Sequence, residues 1–353
     1  MRLSDILKKL QQTKQNTQED KNSSLANILE KETTYSIFNL IKSEEKSPNI
    51  KLVDVEKIYS EAIEVVKQLH KQFWTDSTVS LSSVLMNVAK HIIDGTKKDI
   101  DNFLVYSCYT AVANYIYSNS VNVSIYSAII GNAKNLSENL LNILVLSALL
   151  HKVVVYDLNN EIKDINNVKL KIDRTTLPYE IKFKLTRIIQ SFYKEKDIKN
   201  SILQEDEKLI IQILQICNSY EEMTHVAPNR EVLIPHNAIS ILIKQASQQI
   251  LDQSLVKLFV DVMSIFPVGS FVKLTTGEIA KVVGINRSMP LRPKVKIMLT
   301  PEGVMPKEET IINLAENTKI HIVEPIDETK LNVNDKKFIL QVKAQRWWVK
   351  DNL

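Results

Sequence analysis

Glycine is almost missing from the first three-quarters of this 353-residue chain: of six in all, only Gly95 and Gly131 precede Phe266. A phosphate-cradling loop needs several residues without a Cβ, so that backbone N–H groups can close on the anion, and none can form there. Cysteine is scarce as well. Cys108 and Cys217 stand far apart with no CxxC spacing, which excludes a disulfide framework and a cysteine zinc site and suits two core thiols in a reducing compartment. No stretch reaches the roughly 18 consecutive apolar residues of a membrane-spanning helix. The opening residues, MRLSDILKKLQQTKQ, become charged too early for a signal peptide, so a cytoplasmic protein is expected. Excess charge of one sign is lacking: 45 Lys and Arg against 41 Asp and Glu leave +4, which gives no argument for nucleic acid. No GxSxG elbow and no Cys–His nucleophile signature occurs.

What is present is ordinary globular composition, 44% hydrophobic and 24% charged, enough to build a sizeable core. Four of the six glycines and six of the ten prolines fall after Phe266. Both residues punctuate turns and cost stability inside helices. The chain is therefore expected to be mainly α, with a small β module and a helical tail. Its divisions are 1–52 (an amphipathic helix and a flexible linker), 53–265 (helical), 266–327 (β) and 328–353 (tail). Leu3, Ile6, Leu7 and Leu10 form one helical stripe, followed by the polar run QQTKQNTQEDKNSS. Val55, Ile58, Ala62, Val66 and Leu69 begin sustained helical spacing. Ser77 or Thr78 caps the next helix, Gly131 reads as the C-cap of a helix through Val121 to Ile130, and Ser137 and Asn139 precede the apolar helix carrying His151. Later helices fit 178–194, 205–224 and 237–265. SFVKLTTGEIAKVVGI reads as two strands around a TTGE turn, with KVKIML and KIHIV as further strands of a three- to five-stranded sheet.

Four stretches, in order, resemble HD-GYP proteins, helical HD-superfamily phosphodiesterases of cyclic dinucleotides. NYIYSNSVNVSIYSAIIG (114–131) stands where the family reads HSVNVA after a tyrosine, and LSALLHKVVVYD (146–157) where it reads ALLHDIGK. FPVGSFVKLTTGEIAKVVGINRSMPLRPKVKIM (266–298) is similar to the small module that follows many such domains. ICNSYEEMTHVAPNR (216–230) is a weaker match to ADVYDALTSDRPYR. VDVEKIYSEAIEVVKQLHKQFW resembles the family's helical lead-in, so the likeness spans about 53–325.

The family's chemistry needs imidazoles and carboxylates to hold metal ions that acidify water and neutralise phosphate charge. The resemblance places Asn119 at a metal-binding histidine, Lys152 at the aspartate after the retained His151, Ser191 with Phe192 and Tyr193 at the HHE motif, and Asn218 at a terminal aspartate. An ammonium has no lone pair and repels cations. The expectation is a pseudo-enzyme with no metal and no cofactor, an HD-GYP-like signalling, scaffold or protein-interaction module. Two alternatives stay open: a receptor that binds a cyclic dinucleotide or other phosphate through Lys152 and His151 without cutting it, and a residual metal-dependent phosphohydrolase. Read without the resemblance, His151 is a partly buried helix residue bonded to a neighbour, Lys152 snorkels or pairs with an acid, and Asn119 and Asn218 bond each other. His70, His91, His225, His236 and His321 read as surface or cap residues. Arg287, Arg292, Lys294 and Lys296 read as a solvated strand face, not a nucleic-acid edge. A protein partner is expected, with the Leu3, Ile6, Leu7 and Leu10 stripe or the Trp347–Trp348 tail as its docking points.

Overall fold

A computed structural model describes residues 54–75, 79–108, 115–163, 165–194, 201–227 and 230–331, with Ile198, Val333 and Phe338. Leu3, Ile6, Leu7, Leu10, the polar linker, Ser77, Thr78, Trp347 and Trp348 lie outside the described residues.

Among these residues ten α-helices precede five strands. Helix α1 (Val55–Trp74) buries Val55, Tyr59, Ala62, Val66, Leu69 and Phe73, a stripe at the 3.6-residue period, and Asp54 caps it by accepting from the Lys57 N–H. Helices α2 (Ser82–Lys98) and α3 (Ile100–Tyr106) follow. Helix α4 (Tyr115–Ala133) runs through the centre, and every residue from Ser118 to Gly131 is buried. It packs on α1, α2 and α5 (Glu138–Leu150), and on the long α8 (Glu205–Thr224). A helix covered on all sides shows no amphipathic stripe, and the even spread of apolar residues along α4 and α5 is the sequence form of that burial. Two shorter-range helices, α6 (Val168–Asp173) and α7 (Tyr179–Lys194), bring the chain back to α8. Glu207 joins α7 to α8 by accepting from the Arg187 Nε and Nη2 at 2.8 and 3.0 Å.

Gly131 is not a C-cap. It lies inside α4, where a Cβ would stand 2.5 Å from a Leu141 methyl, so the residue is small to let α5 approach. The stop is Asn135 at φ +56°, with Leu136 N–H bonded to Gly131 C=O and Asn135 N–H to Asn132 C=O. That pair of bonds is a Schellman ending. A second one divides the single helix expected over 237–265 into α9 (Pro235–Ser247) and α10 (Gln253–Met263). Gln249 takes φ +59°, Ile250 N–H reaches Gln245 C=O, and Asp252 caps α10 through the Ser254 and Leu255 N–H groups. No glycine or proline marks the break. The burial of His70 inside α1 overturns its reading as a surface or cap residue, whereas His225, although buried, is the C-cap of α8.

The strands are β1 (Phe271–Leu274), β2 (Ile279–Gly284), β3 (Lys294–Leu299), β4 (Ile311–Asn313) and β5 (Ile322–Ile326). All neighbours are antiparallel, in the order β4-β3-β2-β1-β5. The TTGE turn joins β1 to β2, closed by the Leu274–Glu278 backbone bond of 2.9 Å. The last strand begins three residues later than KIHIV suggests, and β4 was not expected; alternation is too short in either to set bounds. Phe338 is 1% exposed and packs with Phe271, Met298 and Leu299.

Three hydrogen bonds among the described residues tie the β module to the helical part. Asp101 of α3 accepts from the Ile285 N–H, Ser264 Oγ donates to Pro290 C=O, and Cys108 Sγ lies 3.5 Å from Val268 C=O. Gly284 has no room for a side chain, since a Cβ would meet Asp101 Oδ2 at 2.7 Å. A cavity of about 60 Å³ remains at this junction, lined by Cys108, Tyr126, His225, Lys281 and Glu328 among others.

Candidate functional site

Four helices bring polar side chains together in the middle of the body. Asn119 comes from α4, His151 and Lys152 from the end of α5 and the turn after it, Phe192 and Tyr193 from α7, and Asn218, Glu221 and Glu222 from α8. Positions 218, 221 and 222 are spaced i, i+3, i+4, so all three lie on one face of α8.

His151 is 1% exposed. Burial first, and then the Lys152 ammonium beside it, lower its pKa to about 4, so the ring is neutral and carries one N–H. The 2.6 Å contact with the Ala148 carbonyl places that proton on Nδ1. Nε2 then faces Asn218 Oδ1 at 3.3 Å, and since both atoms are acceptors this is a contact and not a hydrogen bond. The Phe192 ring stands edge-on to His151 at 5.6 Å, and the Tyr193 hydroxyl donates to the His151 carbonyl at 3.2 Å.

Lys152 is buried too, its side chain 3% exposed, and its ammonium donates to Glu222 Oε1 at 2.7 Å. It also lies 5.2 Å from the centre of the Tyr156 ring. Burial works against the ammonium, but Glu222 outweighs it and the Lys152 pKa is raised. Burial likewise opposes the Glu222 carboxylate, yet Lys152 and then Arg230 bring its pKa down to about 2. The Arg230 guanidinium stands 3.7 Å from the same carboxylate oxygen. Each charge is therefore held by its partner.

Asn119 donates to Asn218 Oδ1 at 3.3 Å and more closely to Glu221 Oε2, while its own Oδ1 is buried without a hydrogen-bond partner. Glu221 is 1% exposed and also faces His225 Nδ1 at 3.9 Å. His225 Nε2 reaches the Ser107 carbonyl at 2.6 Å, beside the junction cavity.

Of the positions singled out in the sequence, Asn119, His151, Lys152 and Asn218 meet here. Ser191 is half-buried on α7 next to Phe192, and none of the bonds joining the cluster involves it. Glu221, Glu222 and Arg230 went unnamed, although all three stand in ICNSYEEMTHVAPNR. The signal for Glu221 and Glu222 was the i+3 and i+4 spacing from Asn218; Arg230, beyond the end of α8, had none.

These side chains do not fit a metal ion. Two positions offer amides, a third an ammonium, and the nearest carboxylates are taken by Lys152, Arg230 and Asn119. Among the described residues no three His, Cys, Asp or Glu side chains converge as a metal needs. Nor is any described helix long and apolar enough to cross a membrane.

Residues 271–334 match the family model of a KOW domain associated with HD domain, which covers all five strands and the segment after them. No curated protein and no solved structure matches the chain. The match sets beside the ten helices a module of the kind that accompanies HD domains.

Proposed function

We propose that the chain is a catalytically inactive HD-GYP-like protein that serves as a signalling or scaffold module and binds a protein partner. The observation that carries this is the buried Lys152–Glu222 ion pair. In the resemblance, position 152 is a carboxylate shared between cations. Here an ammonium stands in its place, and the acid it needs comes from α8. An inward-facing positive charge, neutralised by the protein itself, repels a metal and has no lone pair to offer one.

The same pair weighs against a phosphate receptor built on Lys152. A bound phosphate would have to displace Glu222 from a 2.7 Å contact in a buried setting. Arg230, at the edge of the cluster, is the cation with more room, its side chain 15% exposed.

Purified protein tests the reading directly. Elemental analysis is expected to find no stoichiometric iron, manganese or zinc, and cyclic dinucleotides and bis(p-nitrophenyl) phosphate are expected to remain uncut after metal is added. Bound metal together with turnover lost in His151→Ala would replace this reading with a phosphohydrolase. Heat released on titrating a cyclic dinucleotide into metal-free protein would replace it with the receptor.

A further inference from the structure

The turn that carries Lys152 is fastened from outside the cluster. Val153, Val154 and Val155 are fully buried, so water cannot satisfy their carbonyls. Side chains do so instead. The Trp74 indole N–H donates to Val153 C=O at 2.9 Å, the Lys171 amine to Val154 C=O at 2.8 Å, and His70 Nε2 to Tyr156 C=O at 2.9 Å. The Val155 carbonyl takes the Lys163 N–H at 2.9 Å.

The three side-chain donors are themselves locked. His70 is 1% exposed and its pKa is lowered, chiefly by burial, so its single proton sits on Nε2 and Nδ1 accepts from the Tyr117 hydroxyl at 3.1 Å. Lys171 Nζ stands 3.0 Å from the centre of the Trp74 ring, a cation–π contact that joins α6 to the last turn of α1. Three residues on, Arg174 holds the end of α1 by donating to the Gln72, Phe73 and Thr75 carbonyls at 3.0, 3.4 and 2.7 Å. Turn, α1 end and α6 are therefore tied to one another.

We propose that His70, Trp74 and Lys171 are positioning residues for the polar cluster, and that α1 is the lever that holds the Lys152–Glu222 pair shut. Lys152 precedes the three fastened carbonyls directly, and its own C=O accepts from the Val155 and Tyr156 N–H groups. A shift of α1 pulls on the Val153 and Tyr156 carbonyls and turns the Lys152 Cα away from α8. The inference concerns how the cluster is held and stands whether or not the cluster is inactive.

Hydrogen exchange of the Val154, Val155 and Tyr156 amides reads the clamp, and reductive methylation of Lys152 reads the pair. Trp74→Phe and Lys171→Met are expected to speed exchange at those amides about tenfold or more, with the amides of α8 and of the sheet unchanged. Lys152 is expected to be unreactive in the natural protein, where it is buried and paired, and to become methylated in both variants. Lys171→Gln keeps an N–H for the Val154 carbonyl and is expected to restore slow exchange. Folded variants whose turn stays protected and whose Lys152 stays unreactive would overturn the lever, as would failure of Lys171→Gln to rescue. Should Trp74→Phe lose its fold, His70→Asn, which keeps a side-chain donor, provides the same reading against His70→Leu. Metal content and turnover decide the proposed function separately, so either reading can fail alone.

Discussion

The helical body holds its polar groups at the centre, and the β module holds its own at the edges. In the body, Lys152 pairs with Glu222, and Asn119 donates to Asn218 and Glu221, with the His151 ring packed beside them where little water enters. In the module, Phe271, Met298, Leu299 and Phe338 close an apolar core, and polar contacts such as Lys296–Glu309 lie outside it. A buried polar set is interdependent: changing one member strands its partner. An apolar core is judged by volume, and each position fails on its own account.

The sharpest test of the module's side is Phe338, which lies four residues beyond the matched segment yet is 1% exposed. Phe338→Ala is expected to cost about 3–4 kcal/mol in chemical denaturation. A loss under about 1 kcal/mol would mean that the core closes without it.

Next in size comes the ion pair. Lys152→Met leaves the Glu222 carboxylate with Arg230 at 3.7 Å and the Asn218 side chain, and a loss of about 3 kcal/mol is expected, below the upper end for buried pairs because Glu222 keeps these partners and some exposure. Lys152→Met combined with Glu222→Gln is expected to recover most of it. If the double variant is as weak as the single, the cluster is held by packing and the contrast with the module fails. The pH dependence follows from Glu222. Its folded pKa, about 2, lies below the unfolded value, 4.5, so its contribution is present above pH 4.5 and drains away as pH falls towards 2. Stability curves of the natural protein and of Lys152→Met are expected to converge in that window.

Much of the helical body was legible because burial on one side leaves a period. The stripe of α1, from Val55 to Phe73, can be read from spacing alone. The β module was legible for another reason, its glycine- and proline-marked turns. What stayed hidden was decided by partners distant in sequence. Nothing near Lys152 says that its acid lies 70 residues away on α8, and nothing near Gln249 announces a left-handed residue. Gly131 misled because its meaning depends on Leu141, across the helix pair. His70 and His225 are satisfied by carbonyls of other elements, which no spacing rule reports.

At the joint between the two regions, Gly284→Ala is expected to cost about 2 kcal/mol, because the new methyl meets the Asp101 carboxylate at 2.7 Å. In an Asp101→Ala background the same change is expected to cost much less. Equal penalties in both backgrounds would place the strain within β2 itself, and the docking of α3 on the sheet would lose its support.

The smallest effect separates the site's two lysines, which are buried alike and behave oppositely. Lys152 has a carboxylate and its pKa is raised; Lys171 has a carbonyl and a ring, and burial, with Arg174 adding to it, lowers its pKa to about 8. Below pH 8 the Lys171 amine is charged both folded and unfolded, and the folded state bears the cost of burying it. Between about 8 and 10.5 the folded protein has released a proton that the unfolded chain still holds, so stability is expected to rise across that interval. Lys171→Met removes the group and should flatten the rise when urea midpoints are compared from pH 7.5 to 10.5. A rise that persists in Lys171→Met would assign it to another group and leave Lys171 a buried amine that keeps its proton. A rise that vanishes there but survives in Lys152→Met would fix the asymmetry: one lysine neutralised by an acid from α8, the other tolerated for the carbonyl it holds.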